Sequence, residues 1–272
     1  MMKRLVTGIF LTFILTQTSF AVSVIGHRGA RASWPESSLT GFKKALEAGV
    51  DYLEADMRLT ADNQIVIHHD EKISPKVCLH SNGEPVEADF YIAQLTLEDI
   101  KSFDCGSLIH PSFPDQQAVP GSRIISLDEF TNFLVQFSSN NTRPFRLLLE
   151  IKTNKENPNP DPQIWIEKLS NQLISKNLLH KTDIDSFNQE LKQQVTESLS
   201  AMTSDWPNQS VKAYPFQILT DSWVSWLQSS GHKVFPWTVN SPDDWNKMMT
   251  MGVDGIITDD PIGLINHIRN LP

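Results

Sequence analysis

The stretch 147–152 reads Leu147-Leu148-Leu149-Glu150-Ile151-Lys152, and it decides the fold class of this 272-residue chain. Successive side chains of a strand point to opposite sides, so three consecutive leucines make both faces apolar. Strands of this kind are typical of a parallel sheet that is covered by helices on both sides. Ile256-Ile257 repeats the feature near the C-terminus. The pattern therefore predicts an α/β protein with a parallel sheet.

Short runs rich in Val, Ile, Leu and Phe alternate with helix-like segments along the chain. Leu39, Phe42, Leu46 and Val50 have the spacing of one such helix, and Ser241-Pro242 begin another. Eight runs are predicted as strands, at residues 22–26, 51–58, 64–68, 146–151, 183–187, 211–216, 233–239 and 254–258. Eight strands with intervening helices in about 250 residues predict a TIM (β/α)8 barrel.

Two features interrupt the regular alternation. A tight turn at Ala61-Asp62-Asn63 joins the second and third strands without a helix, and a long segment separates the third strand from the fourth. Within that segment, Thr96 is expected to cap a helix over residues 97–103, and Ser126 a helix that continues through Phe137. The remainder is rich in proline. It is predicted to be a loop-rich insertion over about residues 72–124, on the C-terminal face of the barrel.

The first 21 residues have the layout of a secretory signal peptide. Lys3 and Arg4 precede an apolar run, and Ser19-Phe20-Ala21 places small residues at the −3 and −1 positions of a cut. The alternative is an uncleaved membrane anchor, but the run is shorter than the roughly 20 residues that a spanning helix needs. We therefore expect a mature domain over residues 22–272 without a transmembrane segment, in the periplasm or secreted.

The formal net charge of −9 argues against a nucleic-acid backbone as partner. Cys78 and Cys105 are the only cysteines in the sequence, and their spacing fits no zinc motif. In an oxidising compartment they either form a disulfide or remain two small buried thiols. The sequence leaves the oligomeric state open.

Acidic side chains are expected inside the barrel. Glu54 and Asp56 lie two apart in the second strand, so both point to one face, while Leu53, Ala55 and Met57 occupy the other. Glu150 and Lys152 repeat the pattern on the fourth strand. Close, buried carboxylates repel one another unless a cation holds them.

The cation beside these carboxylates is either a bound metal or a basic side chain, for which Arg28, Arg58 and Lys152 are the candidates. Three carboxylates provide only oxygen ligands. Such a site suits a hard divalent cation, Ca²⁺ or Mg²⁺, whereas zinc and copper prefer more nitrogen or sulfur.

Other polar features also fall at strand ends. Gly26-His27-Arg28-Gly29 ends the first strand and His68-His69-Asp70 the third, where one of the two histidines is expected to face the site. Trp237, near the end of the seventh strand, either lines the site or belongs to the core. Thr258 and Asp259 are interpreted as caps of the last helix. The C-terminal ends of the strands are where barrel enzymes place their chemistry.

In this order, the motifs resemble those of the glycerophosphodiester phosphodiesterase family over residues 25–268. The family fold is a TIM barrel with a small insertion. The motifs that carry the resemblance are His27-Arg28-Gly29, Pro35-Glu36, Glu54-x-Asp56, His69-Asp70, Glu150-x-Lys152, Ser186-Phe187, Trp237-Thr238-Val239-Asn240 and the stretch 252–259.

The resemblance also implies roles for individual residues. Glu54, Asp56 and Glu150 are implied to hold one divalent cation, and His27 and His69 to be the acid–base pair. Arg28 and Lys152 are implied to lie near the phosphate, with Trp237 also at the substrate. Glu36 either joins the metal ligands or orients Arg28.

The implied reaction is metal-dependent hydrolysis of a glycerophosphodiester to sn-glycerol 3-phosphate and an alcohol. The alternatives are a lysophospholipase D or a phospholipid-cleaving lyase on the same scaffold, and a non-catalytic binding protein. The chain has Pro35-Glu36-Ser37-Ser38 where the family has Pro-Glu-Asn-Thr, and Ile73-Ser74-Pro75-Lys76-Val77 where it has a Leu-Asp-Arg-Thr-Thr pattern. The second of these stretches can touch the alcohol, so the head-group preference is left open.

Overall fold

All eight predicted strands are present in the computed structural model, which describes residues 22–271 apart from 156, 158, 204, 205 and 207–209. The interpretation of residues 1–21 as a signal peptide lies outside the described residues. The strands are β1 (Ser23–Gly26), β2 (Tyr52–Leu59), β3 (Ile65–Ile67), β4 (Lys72–Ile73), β5 (Leu79–His80), β6 (Phe90–Tyr91), β7 (Phe103–Asp104), β8 (Ile125–Ser126), β9 (Arg146–Ile151), β10 (Thr182–Asp185), β11 (Val211–Pro215), β12 (Lys233–Trp237) and β13 (Gly255–Thr258).

The long helices alternate with the barrel strands as predicted, and within the described ranges none is long and apolar enough to cross a membrane. The helix capped by Ser126 extends to Asn140, three residues beyond the prediction. The helices are α1 (Leu39–Ala48), α2 (Leu97–Ile100), α3 (Leu127–Asn140), α4 (Pro162–Ser175), α5 (Gln189–Ala201), α6 (Asp221–Ser229), α7 (Pro242–Thr250) and α8 (Pro261–Arg269).

Parallel strands follow one another in the order β10-β9-β2-β1-β13. β12 lies beside β13, where the Val239 N–H donates to the Ile257 carbonyl at 3.0 Å, and β11 pairs in parallel with β12. Near β10 and β11, the Trp206 Nε1–H donates to the Thr182 carbonyl at 2.6 Å. With their helices these strands form a TIM barrel, which confirms the predicted fold class.

The third predicted strand is present, but it is not parallel to its neighbours. β3 pairs antiparallel with β2, and β2 pairs directly with β9. A parallel connection needs a crossover of a dozen or more residues, whereas only a short turn separates β2 from β3. β3 therefore folds back as a hairpin along the C-terminal end of β2, and this places the 68–70 segment at the mouth of the barrel.

The insertion has more structure than the predicted loops. β4 pairs with β6 and β5 with β7, and a disulfide joins Cys78 to Cys105. The helix capped by Thr96 ends at Ile100 rather than at 103, because Phe103 enters β7. The insertion packs together with Val66 of β3 in a small apolar cluster, whose other members are Ile73, Cys78, Val86, Ile92, Ile100, Phe103 and Ile124.

The interior of the barrel is filled by one apolar layer, formed by Ile25, Tyr52, Leu148, Val211, Phe235 and Ile257. The alternate residues Leu147 and Leu149 point outward into the main core under the helices. Because strand side chains alternate, the residue two positions after each member of the layer lies above it, toward the C-terminal face. Those residues are His27, Glu54, Glu150, Ala213, Trp237 and Asp259.

Candidate active site

A cleft opens above the apolar layer at the C-terminal end of the barrel. It is lined by the predicted catalytic, metal-binding and phosphate-binding residues together with Trp237. The polar and aromatic side chains around it are His27, Arg28, Glu54, Asp56, His69, Glu150, Lys152, Asp185, Phe187, Trp237 and Thr238. Glu36 lies outside the cleft and contacts it through Arg28.

Three carboxylates meet at one point of the cleft. Each of Glu54, Asp56 and Glu150 offers an oxygen, and these atoms lie within 4.8 Å of one another. The parallel register of β2 and β9 sets Asp56 directly beside Glu150. The buried Oδ2 of Asp56 has no hydrogen-bond partner among the described residues. Close carboxylate oxygens with an unsatisfied buried acceptor fit the ligand set of a hard divalent cation.

Basic side chains contact the same carboxylates. Lys152 Nζ lies 3.1 Å from Asp56 Oδ1 and 2.6 Å from Glu150 Oε1. Arg28 Nε lies 3.1 Å from Asp56 Oδ2, although without hydrogen-bond geometry. Two of the three predicted ion-pair candidates are therefore at the site. Arg58 is not, because its guanidinium donates to the His69 carbonyl at 2.7 Å and to Asn154 Oδ1 at 2.7 Å.

The three carboxyl groups differ in their affinity for a proton. Burial raises the pKa of Glu54 well above its usual value, and the charge of Asp56 adds to the effect. Burial also raises the pKa of Glu150 to about 7, although Lys152 opposes the shift. Burial opposes the ionisation of Asp56 too, but Lys152 and Arg28 hold its pKa well below the usual range. Asp56 is therefore the carboxylate that the protein itself keeps charged, and the other two gain from an added cation.

His27 lies at the end of β1 with its ring fixed by a carboxylate. The Nδ1–H donates to Asp259 Oδ1 at 2.6 Å, and Nε2 lies 4.0 Å from Glu54 Oε2. Burial lowers the pKa of His27, although the bond to Asp259 opposes this. The ring is therefore neutral near pH 7 with its proton on Nδ1, which leaves the Nε2 lone pair at the cleft.

His69 is the histidine of the 68–70 segment that lines the cleft. Its Nδ1 bonds to Asp70 Oδ1 at 2.7 Å, and the side chain is 34% exposed. The hydrogen bond from His69 holds the pKa of Asp70 well below its usual range. His68 is buried on the other face, where its Nε2 contacts the Lys72 carbonyl at 3.3 Å. The hairpin of β2 and β3 thus brings a second carboxylate-bound imidazole to the mouth.

Arg28 is held in place by several carboxylates. Its φ of 52° lies in the left-handed region, and its backbone N–H donates to Glu54 Oε2 at 2.9 Å. Its Nη1 donates to Glu36 Oε1 at 3.2 Å, and the Nε of Arg31 donates to Glu36 Oε2 at 2.5 Å. Burial opposes the charge on Glu36, but Arg28 and Arg31 lower its pKa. Of the two roles implied for Glu36, the geometry shows the one that orients Arg28.

Asp259 is the site residue that the sequence interpretation assigned wrongly. The cap of α8 is the next residue, Asp260, whose Oδ1 accepts from the Gly263 N–H at 2.8 Å. Asp259 accepts from His27, and its Oδ2 accepts from Asn240 Nδ2 at 2.8 Å. One sequence signal could have placed Asp259 in the site. It lies two residues after Ile257, as His27 lies two residues after Ile25.

An aromatic pair forms one wall of the cleft. Trp237 packs against the apolar layer and lines the cleft, so it has both of the roles that the sequence left open. Its ring meets that of Phe187 edge to face at 6.2 Å between centroids. Phe187 is 71% exposed, and Lys152 Nζ lies 5.4 Å from its ring centre. The rim of the cleft is therefore apolar on this side.

The fold and the cleft together define a TIM-barrel protein with an acidic, histidine-flanked site at its C-terminal face, where barrel enzymes place their chemistry. The sequence model of the glycerophosphoryl diester phosphodiesterase family matches residues 27–192 and 171–262. The chain belongs to this family.

Individual relatives agree with the family match. A glycerophosphodiester phosphodiesterase of Caldanaerobacter subterraneus is 32% identical over 262 residues, which cover 90% of this chain and 97% of the relative. The crystal structure of a Silicibacter pomeroyi protein assigned to the family superposes with a TM-score of 0.80 at 27% identity, covering 91% of this chain and 92% of the other. An Oleispira antarctica phosphodiesterase, solved with sn-glycerol 3-phosphate, shares the fold with a TM-score of 0.71 at 21% identity over 93% of this chain and 98% of its own.

Proposed function

We propose that this protein hydrolyses glycerophosphodiesters to sn-glycerol 3-phosphate and an alcohol. One observation carries the proposal: in a chain that belongs to the family, the oxygens of Glu54, Asp56 and Glu150 converge within 4.8 Å beside two carboxylate-bound histidines. A binding protein without catalysis has no need for two imidazoles that are each oriented by a carboxylate.

Glu54, Asp56 and Glu150 would hold one divalent cation, Ca²⁺ or Mg²⁺. Held by these carboxylates, a hard cation would supply positive charge to offset the negative charge on a phosphate oxygen. Arg28 and Lys152 are fixed beside the same carboxylates, and each adds a positive charge at the cleft. Because Glu36 holds Arg28 in one orientation, the guanidinium can bind the phosphate without losing side-chain conformational entropy at that step.

The two histidines are suited to opposite proton transfers. The neutral His27 offers its Nε2 lone pair and acts as the base toward the nucleophile, while Asp259 stabilises the imidazolium that forms. His69, whose ring is oriented by its contact with Asp70, acts as the acid that protonates the leaving alkoxide. The nucleophile is either water or a substrate hydroxyl adjacent to the phosphate.

The test is release of glycerol 3-phosphate from glycerophosphocholine by the purified chain. Activity should disappear in EDTA and return with Ca²⁺ or Mg²⁺. Glu150→Gln should raise the cation concentration needed for half-maximal activity, because one carboxylate ligand is lost. Glu47→Gln, an equal change at an exposed position of α1, is the matched control. If no glycerol 3-phosphate forms with either cation, or if the metal-free protein retains full activity, the proposal is wrong.

The exposed Phe187 favours a second candidate substrate. An aromatic side chain that is 71% exposed at the rim, packed against Trp237, offers an apolar surface to an acyl chain. A lysophospholipase D activity would use that surface. Comparing kcat/KM for glycerophosphocholine and lysophosphatidylcholine separates the two, and Phe187→Ser should reduce only hydrolysis of the acylated substrate if the rim binds lipid.

Export through a signal peptide over residues 1–21 is also part of the proposal. The disulfide between Cys78 and Cys105 supports it, because disulfides persist mainly in oxidising compartments. Expression of the complete chain followed by N-terminal sequencing of the exported protein should give a mature chain that starts at Val22. Recovery of the chain with Met1 retained in the cytoplasm would contradict export.

A further inference from the structure

A second cavity lies between the insertion and the lip of the barrel, and none of the residues that line it also lines the catalytic cleft. We call it the insertion cavity. Its polar lining includes Glu36, Ser37 and Asp70 from the barrel side and Lys76, His110 and Arg123 from the insertion.

Pairs of contacting side chains separate the two cavities. Glu36 lines the insertion cavity and accepts from Arg28 of the cleft at 3.2 Å. Asp70 also lines the insertion cavity, and it bonds at 2.7 Å to His69 of the cleft. His69 is the group proposed to protonate the leaving alcohol. The insertion cavity therefore adjoins, through Asp70, the residue that is proposed to protonate the leaving alcohol.

The charge of the insertion cavity differs from that of the chain. The protein has a formal net charge of −9. The lining of the insertion cavity, however, contains only two carboxylates, Glu36 and Asp70, and four basic side chains, which are Arg31, Lys72, Lys76 and Arg123. Both carboxylates are already paired, Glu36 with two arginines and Asp70 with His69. Lys76 and Arg123 form no ion pair within the described part of the chain. These two side chains are available to an anionic group.

One buried hydroxyl among the residues that line the insertion cavity also lacks a partner. Ser37 is only 4% exposed, and its Oγ has no partner among the described residues. A buried hydroxyl without a partner destabilises the protein, and a ligand hydroxyl would supply the missing hydrogen bond.

A disulfide and one backbone hydrogen bond together connect the two segments that carry the available cations. Lys76 lies two residues before Cys78, which is bonded to Cys105. The Cys105 N–H donates to the Ser122 carbonyl at 2.7 Å, next to Arg123. The backbone positions of Lys76 and Arg123 are thereby tied together, which reduces the entropy lost when both bind one ligand.

We propose that the insertion cavity binds the leaving-alcohol part of the substrate and favours alcohols that carry hydroxyls and an anionic group, such as a phosphorylated polyol. The proposal rests on the function proposed above. The cationic choline group gains nothing from Lys76 and Arg123. Chemically, the preferred substrates are glycerophosphodiesters of phosphorylated polyols.

The test uses a matched pair of substrates, glycerophosphoinositol and its inositol-phosphorylated form, with glycerophosphocholine as the cationic reference. The unmodified protein should hydrolyse the phosphorylated substrate with the highest kcat/KM of the three. The double variant Lys76→Gln/Arg123→Gln removes both available cations. The ratio of kcat/KM for the phosphorylated over the unphosphorylated substrate should then fall about tenfold. A tenfold change corresponds to a loss of roughly 1.4 kcal/mol of charge-assisted binding.

Two further variants make the test specific. Lys43→Gln/Lys247→Gln removes the same charge at exposed positions of α1 and α7, and it should leave the substrate ratio unchanged. Ser37→Ala should lower kcat/KM for both inositol substrates but not for glycerophosphocholine, because the only hydroxyl of choline is esterified to the phosphate and none is left for Ser37 to bind.

The possible failures are distinguishable. If glycerophosphodiesters are hydrolysed but the ratio in the Lys76→Gln/Arg123→Gln variant stays within about twofold of the original, the inference about the insertion cavity is wrong and the proposed function stands. An equal loss in the Lys43→Gln/Lys247→Gln control also overturns it, because the effect would then be one of overall charge. If no glycerophosphodiester is hydrolysed, the proposed function fails and the inference fails with it.

Discussion

His27 Nδ1 donates to Asp259 Oδ1 at 2.6 Å, and the two residues follow the ends of the adjacent parallel strands β1 and β13. The pairing fixes the tautomer of His27 and directs its Nε2 toward the carboxylate cluster. Asn240 donates to the second oxygen of Asp259 at 2.8 Å, so the carboxylate is itself held in place. His27, Asp259 and Asn240 follow the ends of β1, β13 and β12, so these three strand ends together fix the position of His27 Nε2.

Asp259→Asn should lower kcat/KM about 10- to 100-fold, because the amide keeps the shape but cannot stabilise a charged His27. The limb of the pH profile that reports His27 should also move to lower pH. The sign follows from the causes of the shift: burial lowers the pKa of His27 and Asp259 raises it, so losing Asp259 lowers the pKa further. Asp243→Asn, an exposed change on α7, is the control. An unchanged pH profile in Asp259→Asn would show that this pairing does not tune His27.

His27→Ala and His69→Ala should each reduce kcat by roughly a hundredfold or more, the usual contribution of general acid–base catalysis. Steady-state kinetics at saturating substrate and cation measure the effect. His180→Ala, at an exposed position, controls for the loss of an imidazole. Near-normal turnover in both site variants, with the fold intact by circular dichroism, would refute the acid–base assignment.

Strand alternation predicted from the sequence where the three carboxylates of the cleft lie. Glu54, Asp56 and Glu150 lie where the two-residue repeat placed them, because a buried strand leaves few options for a carboxylate between apolar neighbours. The same repeat would have placed Asp259 in the site. The sequence Asp259-Asp260-Pro261 also has the pattern of a helix start, an aspartate cap followed by proline, and this favours the cap interpretation of Asp259. The structure separates the two roles between Asp259 and Asp260.

The parts that the sequence did not predict depend on contacts between distant segments. The antiparallel course of β3 follows from the short turn after β2, but the pairing of β3 with β8 depends on where the insertion returns to the barrel. Apolar periodicity in two-residue strands such as β5 and β7 is too short to detect. The link between Arg31 and Glu36 joins two loop residues, and no strand repeat relates them.

The carboxylate cluster should make stability depend on pH and on the cation together. Folding raises the pKa of Glu150 from 4.5 to about 7, and that of Glu54 is raised as well. The folded state therefore holds these protons more tightly than the unfolded chain, so their contribution is present below about pH 4.5 and is lost as the pH rises through about 7. A bound cation replaces the protons. Thermal unfolding should show a larger rise in Tm on adding Ca²⁺ or Mg²⁺ at about pH 8 than at about pH 5.

The variant Glu54→Gln/Glu150→Gln provides the control for this dependence. It removes the two titrating groups and two ligands of the cation, so the Tm should change less with pH and respond little to the cation. Asp56 does not complicate the comparison, because Lys152 and Arg28 keep it ionised throughout this pH range. A cation-induced rise in Tm that is equal at both pH values would contradict a site built from these carboxylates.

The insertion should depend on the disulfide more than the barrel does. Cys78 and Cys105 are 27 residues apart, and closing a loop of that length stabilises by roughly 3 kcal/mol in the chain-entropy model. The apolar cluster of the insertion is small and separate from the main core, so the loss should be local. Cys78→Ser/Cys105→Ser should therefore become sensitive to protease within residues 72–124 while the barrel helices keep their circular dichroism. Dithiothreitol should produce the same cleavage pattern in the original protein and no further change in the variant. If the variant instead unfolds as a whole at a lower Tm without a protease-sensitive intermediate, the insertion and the barrel form one cooperative unit.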